Sequence, residues 1–140
     1  MIQGQISINL HTVDASEVDH VAENIFLVNN DIFLPAGEVT TEERTWTFGD
    51  TRNIFLLSSH AHQFNTEWKI YIAGGERDGE LVYFSKDWEH PPLIEFDPTI
   101  VLNPGEGLRG EATYNNTTDK DLRFGLLSED EMMIIFGAYY

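Results

Sequence analysis

The feature that most constrains this chain is the lack of any sustained helical period. Short stretches in which apolar and polar residues alternate recur along it, with turn-forming residues between them. Alternation with a period of two is the pattern of a half-buried strand, whereas an amphipathic helix needs apolar residues at every third or fourth position over several turns. The predicted strands are QISINLHT, HVAENIFLV, VTTEERTWTF, RNIFLLSSHAH, EWKIYIAG, ELVYFS, LIEFDPTIVL, GLRGEATYN and EMMIIFGAYY. Between them LPAGE, FGDTRN, GGERDG, EHPP, NPGEG and NNTTDKD supply the Gly, Pro, Asn and Asp of turns. About eight to nine such strands, with turns every eight to twelve residues or so, indicate an all-β fold, an antiparallel β-sandwich or jelly roll.

A chain of 140 residues, 41% of them hydrophobic, can bury a core of its own. No repeat, linker or low-complexity stretch divides it, so residues 1–140 read as a single domain. Trp46, Phe48, Phe55 and Tyr71 fall on predicted strands and read as core. Lys and Arg number 8 against 24 Asp and Glu, a net charge of -16. That balance excludes nucleic acid and anionic membrane as partners on electrostatic grounds. There is no cysteine, hence no disulfide, thiolate metal site or cysteine nucleophile. No apolar run approaches the roughly 18 residues needed to span a bilayer. Nothing after Met1 reads as a signal peptide, so the chain acts where it is made or is a trimmed part of an exported parent. The Asn115 and Asn116 run matches a glycosylation sequon and equally makes an ordinary turn.

The stretch SSHAHQFNTEW carries the one metal-ligand spacing in the chain. Residues i and i+2 of a strand point to the same side, so His60 and His62 present two imidazoles from one face. Two completions are open. The first adds Glu67: His-x-His-x4-Glu-x6-Gly, ending at Gly74, resembles the first metal motif of the cupins, which bind iron or manganese inside a β-barrel. The second motif of that family would place a histidine after a Pro-x-Gly turn, and NPGEGLRGEATYNN has none. The second completion adds Met132 from SEDEMMIIFGAYY, whose thioether beside two imidazoles makes a soft site suited to copper, especially Cu(I). Met132 alone would read as core filler.

The order of HAH, PTIVLNPGEGLRGEATYNN and EDEMMIIFGAYY, preceded by LPAGE, resembles the C-terminal catalytic domain of the ascorbate-dependent type II copper monooxygenases. These are the dopamine β-monooxygenase and peptidylglycine α-hydroxylating monooxygenase enzymes. The resemblance covers most of the chain. It implies that His60, His62 and Met132 hold the copper at which oxygen is activated and a substrate C–H bond hydroxylated. An external reductant such as ascorbate, a small-molecule or peptide substrate and an extracellular or periplasmic setting follow from it. The family carries a second copper on an N-terminal domain, and this chain lacks that domain, so full activity requires a second copper domain as partner. His11 in INLHTVD resembles the single histidine that the family contributes to that second copper from this region. Ala112 and Met133 stand where the family has a disulfide pair. The alternative is a non-catalytic copper-binding or interaction module with the same ligands. His20 and His90 read as surface residues, and Arg77, Lys86 and Trp88 as loop candidates for substrate contact.

Overall fold

In a computed structural model, which describes Gly4 and residues 6–140, the described chain is all-β apart from one 3-10 turn at Ala15–Glu17. The strands are β1 Glu23–Val28, β2 Phe33–Leu34, β3 Val39–Thr47, β4 Arg52–His60 and β5 Asn65–Ala73. They continue as β6 Leu81–Ser85, β7 Ile94–Leu102, β8 Gly107–Asn115, β9 Leu122–Arg123 and β10 Ile134–Tyr139. One sheet has the order β1-β10-β4-β7 and the other β3-β8-β5-β6, and β2 pairs with β9 in a small ladder. All strand pairs are antiparallel. The β-sandwich expected from the alternation is therefore present. Among the described residues no helix is long and apolar enough to cross a membrane.

The core lies between the sheets because each strand buries alternate side chains. Ile25, Ile54, Leu57, Ile100, Leu102 and Ile135 enter it from the first sheet. Trp68, Ile70, Ile72, Tyr83, Leu108 and Tyr114 enter it from the second. A Cβ added at Gly110 would lie 2.8 Å from the Trp68 ring, so glycine there makes room for the indole. Asn116 is fully buried and donates from Nδ2 to the carbonyls of Leu34, Pro35 and Lys120, which makes it the keystone of a turn.

Three expectations change. The segment QISINLHT is not a strand over its described residues, and Ile6, Ile8 and Leu10 are 79–89% exposed. Its alternation is genuine, but among the described residues no neighbouring strand takes it up. The two-residue strands β2 and β9 are added to the eight expected strands that form, which makes ten. Tyr71 turns away from the core, under the Arg109 guanidinium at 4.5 Å, because Ile70 and Ile72 take the inward positions of β5. Phe55 is half-buried near Tyr140, outside the core, whereas Phe48 lies in it and Trp46 packs against it.

Candidate metal centre

His60 ends β4, and the alternation of that strand decides which way it faces. Ser59 points inward, its hydroxyl 3.0 Å from the Tyr83 hydroxyl of the opposite sheet. Leu57 and Ala61 are core residues as well. Ser58, by contrast, donates to the Pro92 carbonyl of the loop before β7. His60 and His62 share the outward side with Ser58. Their ring centroids are 5.3 Å apart and nearly perpendicular. Two imidazoles that each place one nitrogen about 2 Å from a shared ion need a separation of this size.

Met132, the third candidate ligand, lies on the approach to β10. Ile134 pairs with His60 at the end of the ladder, and just beyond it the backbone N–H groups of His62 and Met132 share one acceptor, Oε2 of Glu131. Met133 lies on the other side, fully buried in the core with its sulfur 3.4 Å from the Asn29 amide nitrogen. Of the two methionines, Met132 is the one that the strand alternation assigns to the face of the histidines.

A carboxylate joins the two segments. Glu131 is fully buried, and its Oε2 accepts from the backbone N–H of His62 at 2.9 Å and of Met132 at 3.2 Å. Its Oε1 accepts from the N–H of Phe64 at 2.8 Å. Burial pushes this carboxyl above the ordinary carboxylate range, against the pull of those three donors. Sequence reasoning missed Glu131, because in SEDEMM it is one of three adjacent acids and nothing local distinguishes it. Next to it, the Asp130 carbonyl lies 2.8 Å from Nδ1 of His62. A carbonyl can only accept, so the neutral ring carries its proton on Nδ1 and leaves the Nε2 lone pair free. Histidines that ligate metals are oriented by this kind of bond. The Tyr114 hydroxyl donates to the Met132 carbonyl at 2.8 Å and pins the methionine backbone.

The His60 ring has no hydrogen-bond partner among the described residues. Burial holds its imidazolium below the ordinary histidine value, and the adjacent His62 adds to the effect. Folded His60 therefore binds a proton less readily than the unfolded chain. Its contribution to stability is present above the ordinary value near 6.5 and is lost as the pH falls below that value and through the lowered one of the folded chain. In urea unfolding of the metal-free protein, His60→Asn is expected to lose less stability than the parent between about pH 7.5 and 5.5.

The edge of the Phe136 ring lies against His60, with centroids 6.1 Å apart. Phe136 also lines an open cavity of about 420 Å³ with Phe26, Leu56 and Leu93. Through Phe136, His60 thus borders an apolar hollow on the outer side of the first sheet.

The other sequence candidates lie elsewhere. Glu67 does not join the histidines: it sits on β5 in the opposite sheet, on the side away from Trp68, and pairs with Lys69 and Lys86. Among the described residues no three His, Asp or Glu side chains gather into a metal group, so the cupin-like set of His60, His62 and Glu67 is not formed. His11 is exposed in the segment before Ala15. His20 stacks on Tyr140 at 4.0 Å, and His90 is an exposed loop residue. Arg77 is paired with Glu80 through two 2.7 Å contacts, Lys86 with Glu67, and Trp88 lies exposed in the loop between β6 and β7. Comparison with protein-family models and with curated proteins returns no match to this chain.

Proposed function

We propose that this chain is a copper-binding domain resembling the oxygen-activating half of an ascorbate-dependent copper monooxygenase, with His60, His62 and Met132 as ligands. One observation carries the reading: a single Glu131 oxygen accepts from both the His62 and the Met132 backbone, beside an imidazole whose Nε2 is free. Two imidazoles and a thioether form a donor set that favours copper, Cu(I) above all, over zinc or iron. Bound there, copper would supply one-electron chemistry and, at the position three ligands leave open, activation of oxygen for hydroxylation of a C–H bond. The chain's own contribution is to fix the His62 ring through Asp130 and to exclude water from the apolar side of His60 with Phe136. The apolar part of a substrate would lie against Phe26, Leu56, Leu93 and Phe136.

Hydroxylation needs two electrons, so full activity calls for a reductant such as ascorbate and a second copper domain. The second reading is a copper-binding or interaction module without turnover.

Anaerobic titration with Cu(I) against a chromogenic competitor, combined with X-ray absorption at the copper edge, tests the proposal. One ion per chain with nitrogen and sulfur neighbours is expected, and failure to bind Cu(I) overturns both readings. Oxygen uptake coupled to hydroxylated product by this chain with ascorbate would favour the enzyme over the module.

A further inference from the structure

We infer that Glu131 is the positioning residue of this centre: its buried carboxylate holds the His-x-His segment and the methionine in register before any metal arrives. The inference rests on the copper reading above.

The ladder between β4 and β10 ends at the His60 and Ile134 pair, one step short of the ligands that follow. Beyond that point the N–H groups of His62, Phe64 and Met132 turn toward the interior and have no strand partner. Buried N–H groups require acceptors. Glu131 supplies two oxygens for three of them, spanning 69 residues of sequence to reach His62. Burying a carboxylate is costly, and such groups persist where several donors satisfy them.

Its neighbours divide the remaining work. The Asp130 carbonyl orients the His62 ring, and Tyr114, also buried, fastens the Met132 carbonyl. Asp130, Glu131 and Tyr114 thus fix the ring, the backbone and the sulfur-bearing residue of one centre. A site held in this way binds an ion without first ordering its ligands.

Glu131→Gln keeps the size of the side chain but replaces one acceptor oxygen with an amide nitrogen that cannot accept. At least one of the three N–H bonds is then lost. Two readouts separate positioning from simple support of the fold, with Ile72→Val as a remote core control. The first needs no metal: nitrogen NMR of the His62 ring is expected to show the Nδ1–H tautomer in the parent and in the control, and a mixture in Glu131→Gln. The second is Cu(I) affinity, expected to fall by about 10–100-fold in Glu131→Gln, as for loss of a residue that orients a ligand, and to hold in the control. A Glu131→Gln protein that melts earlier yet keeps tautomer and affinity would reduce Glu131 to a structural residue and overturn the inference. If the parent binds no Cu(I), the copper reading falls, while the tautomer comparison still decides whether Glu131 sets His62.

Discussion

Replacing His62 by alanine is expected to weaken Cu(I) binding by at least about 100-fold, and Met132→Leu to do the same. Loss of a residue that merely orients a ligand costs roughly 10–100-fold, so loss of a ligand should exceed it. Leucine is the informative change at Met132, because it keeps an apolar side chain of similar volume and removes only the sulfur. Met132 is 9% exposed, so alanine would open a cavity and confuse a packing loss with a ligand loss. His62→Ala disturbs less of the interior, since its ring is half-buried and its single protein bond goes to a carbonyl beside it. Glu67→Gln is the matched control. It should leave Cu(I) affinity unchanged, because Glu67 lies on the opposite sheet among lysines. Anaerobic competition titration reads all three, and full Cu(I) affinity in Met132→Leu would remove sulfur from the centre.

Trp68→Ala is expected to cost about 3–5 kcal/mol of folding stability, measured by urea unfolding. The indole is 1% exposed, is fully enclosed between the sheets, and faces Gly110 so closely that no side chain fits there. Against a total of about 5–15 kcal/mol for a typical domain, such a loss leaves the variant close to unfolding. Trp68→Phe should cost less. The Trp68 Nε1 is buried without a hydrogen-bond partner among the described residues, and phenylalanine removes that unpaired donor along with part of the ring.

The eight long strands could be read from the sequence because a period of two survives wherever one face of a sheet is buried. The strands β2 and β9, two residues each, are too short to show any period. The segment holding Ile6, Ile8 and Leu10 fails in the opposite sense: pattern describes what a strand would bury, not whether a neighbour exists to pair with it. At the candidate site, the spacing of His60 and His62 was local and legible. Glu131 was not, because its role exists only when residues 62 and 132 meet across the sheet. Glu67 was misplaced by treating sequence proximity to His62 as spatial proximity, although β5 begins in the other sheet.

The order β1-β10-β4-β7 puts the two strands that lead to the ligands in the middle of their sheet, flanked on both sides by hydrogen-bonded neighbours. Edge strands fray first, and central ones open only when the whole domain does. In amide hydrogen exchange the protons of β4 and β10 should therefore be among the slowest, with or without an ion. Loss of metal and loss of fold would then be separate events, and an emptied centre could be refilled without refolding.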